Sequence, residues 1–263
     1  AGFMKTINDK RFNWCFKTEK NKNVNNREIL FPRGKGFGGS SSINGHLYVR
    51  GQPDDYNQWS QLGNYGWSYD DILPYFKKSE SKENGSADTR GKDGPLFVSD
   101  IVEKHPICEE FIRGSRELGI KIQEDYNSGD QEGIFYYQRT IKNGARYSAY
   151  DAFLKTAIKR KNVDVKKNTM VLKIIFEGKK AVGLVCEKNN KIFQIHANKE
   201  IILCAGAIGT PHLLQVSGIG NFEHLNEIGV KPVHENKNVV DGLQDHYAVR
   251  VANRINLPNS LNE

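Results

Sequence analysis

Residues 33–51 read RGKGFGGSSSINGHLYVRG, and residues 206–220 read GAIGTPHLLQVSGIG. Both stretches are rich in glycine, contain no acidic residue and place small hydroxyl side chains beside backbone N–H groups. Such a sequence lets main-chain donors and a helix dipole surround an anion. Two stretches of this kind in one chain therefore predict a site that wraps a phosphate-bearing cofactor.

Length and composition limit the class of protein. The chain has 263 residues, which is enough for one large domain or two modest ones. It contains no apolar run of the roughly 18 residues that a membrane-spanning helix needs. The net charge of +7 comes from scattered lysines, which is typical of a solvated surface, so we expect no nucleic-acid partner.

Cysteine usage bears on metals and on the redox compartment. The four cysteines are widely spaced and form no CxxC pair. This spacing argues against a zinc site and a disulfide framework, so we expect no metal site and a reducing compartment. The N-terminal residues lack the apolar stretch of a secretory signal. We therefore expect a cytoplasmic protein, and peripheral attachment to a membrane stays open.

Periodicity predicts an alternation of helices and strands. Apolar spacing favours helices over residues 69–79, 106–118 and 148–160. β-branched runs favour successive strands after Asn162, and a further strand over residues 247–255. This mixture predicts an α/β (α+β mixed) fold.

Local signals add expectations around the glycine stretches. The sequence of residues 40–49 favours the start of a helix, whereas that of residues 52–55 predicts a turn. The apolar run 200–204 ends in small residues and predicts a buried strand whose end a ligand can approach closely. A helix then begins near Thr210 and Pro211, because proline suits the first helical turn.

One nucleotide-binding motif is matched in its glycine spacing but not in its expected structural context. Gly34, Gly36 and Gly39 satisfy G-x-G-x-x-G, and Asp54 follows Gly34 at twenty residues. A nicotinamide dinucleotide fold requires this motif inside a strand–turn–helix unit, with the acidic residue at the end of the next strand. Asp54 instead falls in the expected turn, so we reject that interpretation. A P-loop is also excluded, because no Gly-Lys-Ser or Gly-Lys-Thr triplet closes the loop.

The two glycine stretches resemble the two signature patterns of the glucose–methanol–choline (GMC) oxidoreductases, a family that binds FAD and oxidises alcohols. The first match covers residues 33–45, and the second runs from Gly206 to Gly220. Shorter matches are spread over nearly the whole chain, and one of them is the run from Gly242 to His246. The overall likeness is to choline dehydrogenase-like members of the family.

The resemblance implies which residues meet the cofactor. It places Gly38, Gly39 and Ser40 against the FAD pyrophosphate and ribityl chain. It implies a backbone contact to adenine at Val171, and a close approach at the second glycine stretch. The implied cofactor-binding residues are Gly38, Gly39, Ser40, Asn44, Gly45, His46, Leu47, Val171, Ala205 and Gly206.

Departures from the family pattern modify this expectation. His46 stands where methionine is common, so the polarity near the flavin ring differs. Ile43 stands where some relatives carry a histidine bonded to flavin, so we expect non-covalent FAD. Residues 239–242 differ from the usual sequence before Leu243, which changes the geometry expected for that loop.

Two family features have no match in the sequence. Nothing before Arg33 resembles the family's N-terminal βαβ unit, and none of the seven histidines matches its catalytic base, which we expect beyond Glu263. The resemblance therefore implies an internal piece of a longer enzyme, with an incomplete Rossmann-like FAD-binding domain and a β-sheet excursion. We expect that partial domain over residues 1–246 and the start of a substrate-binding domain over 247–263.

The implied activity is a FAD-dependent alcohol or choline dehydrogenase. Hydride passes from a primary, choline-like alcohol to FAD while a histidine takes the hydroxyl proton. The expected partners are a small alcohol substrate and, as electron acceptor, a quinone or the respiratory chain; an oxygen-using oxidase stays open. The alternative is a truncated, non-catalytic protein with only residual flavin or partner binding. We expect this chain alone to bind FAD weakly or not at all and not to oxidise alcohols.

Overall fold

The computed structural model describes residues 6–246, 248–249 and 251–253. The chain divides into two compact units, Ala1–Val165 and Lys166–Glu263. The expected domain boundary at residue 246 stays a prediction. Four of the nine residues of the strand expected over 247–255 lie outside the described set, and the five described ones have no regular structure.

Helices of the first unit begin at local capping signals. Gln52 and Ser68 each form a capping box with the residue three positions on, and His105 accepts a hydrogen bond from Ile107 N–H at 3.2 Å. The predicted helices at 69–79 and 106–118 are confirmed. The unit's α-helices are α1 (Pro53–Gln61), α2 (Tyr69–Ser79), α3 (Pro106–Glu117) and α4 (Lys155–Ala157).

The strands of the first unit are short. They form two antiparallel pairs, residues 16–17 with 30–31 and 141–142 with 145–146, and one parallel pair, 80–81 with 96–97. Each pair aligns two residues per strand. These strands are β1 (Phe16–Lys17), β2 (Leu30–Phe31), β3 (Glu80–Ser81), β4 (Leu96–Phe97), β5 (Ile141–Lys142) and β6 (Ala145–Arg146). Because each pair is so short, the strands are a small part of this unit, and long segments connect them.

The second unit contains a three-stranded antiparallel meander, β7 (Met170–Glu177), β8 (Lys180–Lys188) and β9 (Lys191–His196). Asn189 and Asn190 join β8 to β9 and both have positive φ, as a type I′ hairpin turn requires. Helix α5 (Gly206–Val216) and strand β10 (Ile219–Gly220) follow. Helix α6 (Phe222–Glu227) then leads to β11 (His234–Glu235), which pairs parallel with β10.

Each unit has its own interior. In the first unit Val98 and Tyr126 are buried beside ionised side chains, above all Glu80 and Arg90. In the second unit Ser217 joins helix to sheet, because its hydroxyl accepts from Ile174 N–H at 2.9 Å and donates to the Leu213 carbonyl at 2.6 Å. The mixture of helices and strands agrees with the expected fold class.

Several local expectations are corrected in the first unit. No long helix forms over residues 40–49, and the helical part is a four-residue 3₁₀ turn, Gly39–Ser42. The helix does not continue because the Asn44 side chain accepts a hydrogen bond from His46 N–H and the His46 backbone is left-handed, with φ 50°. The expected turn at 52–55 is the start of α1, with Pro53 in its first turn. The expected helix 148–160 opens with a wide π-helical turn, Tyr150–Leu154, whose first ring stacks on Phe37.

Two expectations for the second unit are wrong, namely the strand at residues 200–204 and the start of the helix that follows it. The run 200–204 is not paired with any described strand, and Ile202 is 75% exposed. A strand needs a neighbour for its backbone hydrogen bonds, and the described residues provide none there. Helix α5 begins at Gly206, before the expected Thr210. Pro211 is tolerated inside it because Ala207, whose carbonyl Pro211 cannot pair, is exposed to water.

Candidate functional site

The first glycine stretch forms a tight loop that only glycine fits. Gly36, Gly38 and Gly39 have φ of 125°, 80° and 52°, all in the region that side chains disfavour. A Cβ on Gly38 would overlap Ser42 Oγ and lie 3.2 Å from the Ser148 and Ser41 hydroxyls. The glycines therefore allow this loop to pack closely on its own serines.

The serine hydroxyls hold the loop together. Ser40 Oγ accepts from Gly34 N–H at 3.0 Å, and Ser42 Oγ donates to the Phe37 carbonyl at 2.7 Å. Ser41 Oγ donates to the Gly38 carbonyl at 2.5 Å. Ser40 only accepts in its bond, so its own O–H stays a donor that can reach a ligand.

The opposite face of the loop is open. A Cβ added at Gly36 or Gly39 would meet no atom within 4 Å, and one at Gly45 would meet only Leu47 Cγ at 3.9 Å. A ligand can therefore approach the main chain directly on this face. No acidic residue lies between positions 33 and 51. An anionic, extended group such as a dinucleotide pyrophosphate fits this surface.

Arg146 closes the loop from a distant part of the sequence. Its Nη1 donates to the Ser41 carbonyl at 3.0 Å and to Asn44 Oδ1 at 2.8 Å, and its Nη2 donates to the Asn44 carbonyl at 2.7 Å. Ser41 Oγ in turn accepts from Ala149 N–H at 2.9 Å. Burial lowers the pKa of Arg146, which still carries a full charge at neutral pH.

The next residues are held in an extended path against residues 138–140. The His46 carbonyl accepts from Thr140 N–H at 2.9 Å, and Tyr48 N–H donates to the Gln138 carbonyl at 2.9 Å. Leu47, between them, is 46% exposed. The structure thus brings the seven predicted residues from Gly38 to Leu47 together on one continuous loop.

His46 lies in a positively charged setting. Burial, reinforced by the charges of Arg146 and Arg139, lowers the pKa of His46. The ring is therefore neutral at neutral pH. Its Nδ1 is buried without a hydrogen-bond partner among the described residues. A neutral imidazole is a polar group, but its buried Nδ1 is closed to a ligand in this conformation.

The remaining predicted residues lie in the second unit, described by itself. Val171 is half-buried in β7, opposite Cys186 of β8. Ala205 caps helix α5 without a side-chain hydrogen bond, and Gly206 has φ 81° with open space where a Cβ would point. Both are exposed, so backbone donors at this helix start are accessible.

A buried charge cluster behind the loop escaped the sequence analysis. Arg90 donates to Glu80 through Nε and Nη2, at 2.8 and 2.9 Å, and through Nη1 to Asp125 at 2.6 Å. Arg50 Nη2 lies 2.7 Å from Glu80 Oε1 as an ion pair, although its N–H groups do not point at that oxygen. Arg90 also donates to Gln138, whose carbonyl holds Tyr48.

The titration of this cluster follows from its geometry. Burial alone would raise the pKa of Glu80. Hydrogen bonds from Arg90 and Gly91 N–H, with the charges of Arg50 and Arg90, outweigh burial and hold that pKa below its usual value. Burial raises the pKa of Tyr126 to about 12, and its hydroxyl donates to the Tyr48 carbonyl at 2.6 Å. Glu80 is therefore ionised at neutral pH, Tyr126 keeps its proton, and the cluster anchors the extended segment.

Other chemistries find little support in the described part of the chain. No group of three or more His, Cys, Asp or Glu side chains there could hold a metal ion. The His246 ring nitrogen lies 3.3 Å from Asp245, but its side chain is 92% exposed. His105 caps α3. None of the described helices is both long and apolar enough to cross a bilayer.

Comparisons with known proteins agree with the resemblance to GMC oxidoreductases. A sequence profile of the GMC oxidoreductase family matches residues 15–248. Oxygen-dependent choline dehydrogenase from Brucella anthropi is 41% identical over 255 residues, which are 97% of this chain and 46% of that protein. The chain thus spans less than half the length of this curated relative.

Solved structures share the fold. Pyridoxine 4-oxidase from Mesorbium loti matches with a TM-score of 0.84 at 30% identity, over 89% of this chain and 46% of that one. A FAD-dependent oxidoreductase from Chaetomium thermophilum matches with a TM-score of 0.81 at 31% identity, over 86% of this chain and 42% of that one. These likenesses confirm the expected fold class.

Proposed function

The chain belongs to the GMC oxidoreductase family, and from this premise we propose that it is the flavin-holding part of an enzyme that oxidises a small alcohol. The matched region is the family's FAD-binding domain, so FAD is its cofactor. FAD, when bound, takes up a hydride from the alcohol carbon. The observation that carries the proposal is the Gly39–Ser42 turn, with its open glycine face and acid-free surroundings.

We assign the pyrophosphate and ribityl chain to Gly38, Gly39 and Ser40. The loop exposes main chain there, and the Ser40 hydroxyl keeps a free proton to donate. Backbone donors at the start of a helical turn favour a negative group because the turn's dipole adds to their own. The neutral acceptors of Arg146 leave its positive charge uncompensated nearby, which favours an anion further.

The flavin ring is assigned to Asn44, Gly45, His46 and Leu47. The neutral His46 ring offers a polar contact, and Leu47 offers an exposed apolar one. Ile43 is only 8% exposed and carries no nucleophile, which supports non-covalent FAD. In the second unit, Val171 is assigned to adenine, and Ala205 and Gly206 to a close backbone contact.

The proton-accepting group is assigned to a histidine beyond Glu263. The described histidines support this assignment by their environments. Burial and neighbouring arginines make His46 a poor base, His105 is used as a cap, and His246 stands in solvent. We likewise propose that residues 1–246 are the FAD-binding part and that residues 247–263 begin the substrate-binding part.

A choline-like primary alcohol is the proposed substrate, supported by the printed name of the curated relative. For the electron acceptor we propose a quinone or the respiratory chain. Oxygen is the competing acceptor, since that relative is called oxygen-dependent. All four cysteines are free thiols in the structure, which supports a reducing compartment, the cytoplasm, as the location. Attachment at the membrane periphery would be consistent with a quinone acceptor.

The test uses the full-length gene product, including the segment expected beyond Glu263, loaded with FAD. Anaerobic addition of choline should bleach the flavin absorbance. If a quinone is the natural acceptor, an added quinone should restore the absorbance quickly and become the quinol, whereas air alone should restore it only slowly. Rapid recovery with stoichiometric peroxide would assign oxygen instead. Absence of bound FAD would contradict the proposed function, and bound FAD that no primary alcohol bleaches would contradict the substrate class.

A further inference from the structure

Arg146 reaches the glycine–serine loop across more than a hundred residues of sequence. Three acceptors on that loop converge on its guanidinium: the Ser41 carbonyl, the Asn44 carbonyl and Asn44 Oδ1, at 3.0, 2.7 and 2.8 Å. Asn44 Oδ1 also accepts from His46 N–H at 3.0 Å. One side chain therefore fixes both ends of the turn that leads from the serines to the flavin-facing residues.

The segment that follows Arg146 adds further contacts to the same loop. Ala149 N–H donates to Ser41 Oγ at 2.9 Å, and the Tyr150 ring stacks on Phe37 at 5.2 Å with an interplanar angle of 8°. Ser148 is buried and held by Asp151, which accepts from its N–H and its hydroxyl at 3.0 and 2.7 Å. The loop is thus docked on a rigid corner.

The chemistry of these contacts requires arginine. A planar guanidinium presents several N–H groups at fixed angles, so it can serve two carbonyls and an amide oxygen at once. A lysine ammonium at the same site would reach only part of this set. The acceptors are all neutral, so none of them cancels the guanidinium's charge.

We propose that Arg146 is a positioning residue that holds residues 38–46 in the conformation that binds the flavin nucleotide. This inference rests on the proposed function, because it names the loop's ligand as FAD. Without Arg146, the Asn44 side chain and two carbonyls lose their shared donor, and the loop has many accessible conformations because its glycines tolerate them. FAD binding then has to order the loop, and affinity falls.

The experiment compares the full-length wild-type protein with its Arg146→Lys, Arg146→Gln and Arg146→Ala variants. Arg113→Ala is the matched control, because Arg113 is 64% exposed and pairs only with exposed glutamates on its own helix. Two readouts are taken on each variant: hydrogen exchange of the backbone at 38–46, and the dissociation constant for FAD from flavin fluorescence. Circular dichroism identifies any variant that fails to fold.

The expected result has three parts. Arg146→Ala exchanges faster at 38–46 but not in the β7–β9 sheet, and its FAD affinity falls by at least about tenfold, as loss of a charged hydrogen-bond donor implies. Millimolar guanidinium restores both readouts in Arg146→Ala only. Arg146→Lys falls between wild type and Arg146→Gln, and Arg113→Ala matches wild type.

Other results would overturn the inference. Weaker FAD binding with unchanged loop exchange would make Arg146 a direct ligand and not a positioning residue. Unchanged values of both readouts, or failure of guanidinium to restore a folded Arg146→Ala, would also contradict it. Faster loop exchange in Arg146→Ala with no FAD binding by any variant would support the anchoring of the loop and count against the proposed function.

Discussion

Arg90 and Glu80 form a buried ion pair with two parallel hydrogen bonds, at 2.8 and 2.9 Å, and neither side chain has any exposed surface. Gly91 N–H donates to the same carboxylate at 2.9 Å. The pair is linked through Gln138 and Tyr126 to Tyr48, directly after the residues that we assign to the flavin ring. The stability of this pair and the geometry of the candidate site are therefore coupled.

Glu80→Gln is expected to destabilise the first unit by about 3–5 kcal/mol, because it leaves Arg50 buried without a compensating charge and Arg90 with Asp125 as its one remaining acidic partner. Chemical denaturation measures this change. Glu117→Gln removes an exposed partner of Arg113 and serves as the control, with an expected change below about 0.5 kcal/mol. Equal effects of the two substitutions would show that burial of the pair contributes nothing.

Acid should weaken the first unit through Glu80. Its pKa is held below the usual value of 4.5 in the folded protein, so its contribution to stability is present above that value. The contribution is lost as the pH falls from about 4.5 through the lower folded pKa. Unfolding free energy measured between pH 6 and pH 3 should fall more steeply in wild type than in Glu80→Gln. Parallel curves would contradict this assignment.

Gly38→Ala should impair FAD binding, whereas Gly119→Ala should not. The two glycines have nearly the same φ, 80° and 79°, but a Cβ collides with serine hydroxyls at Gly38 and meets open space at Gly119. Backbone strain alone costs about 1 kcal/mol in both. Thermal unfolding and FAD titration of the two variants separate strain from collision. Equal loss of FAD affinity in both would place the flavin elsewhere.

His46 should titrate below the ordinary histidine value of 6.5, since burial and two arginines disfavour its charged form. Arg146→Gln removes one of those charges and should raise the His46 pKa, while Arg146→Lys should not. NMR titration of the imidazole C2 proton measures both. A normal pKa in wild type would mean that the ring is solvated and faces away from the arginines.

Local signals allowed much of the fold to be predicted from sequence. Ser68 with Asp71, and His105 with Pro106, mark helix starts within four residues, so α2 and α3 were correctly placed. The β-branched runs likewise predicted β7, β8 and β9, although the first strand begins at Met170, later than expected. These elements depend on neighbours in sequence, which a reader of the sequence can see.

Long-range contacts could not be predicted in the same way. Arg90 lies in a polar, glycine-rich loop that reads as solvated, and its burial depends on Glu80, Asp125 and Gln138, 10 to 48 residues away. Arg146 meets Asn44 across 102 residues. The run 200–204 has the composition of a buried strand, but no described strand pairs with it. The composition of a segment permits a strand, but the strand forms only where another segment pairs with it.

The central claim is that the loop from Gly38 to Leu47 binds FAD through its main chain. Titrating the isotope-labelled full-length protein with FAD and following its backbone amides by NMR tests the claim directly, even when binding is weak. The account predicts saturable shifts at Gly38, Gly39, Ser40 and residues 44–47 that persist at high salt. Unmoved amides there at the highest FAD concentration, or shifts confined to lysine-rich surface and abolished by salt, would contradict it.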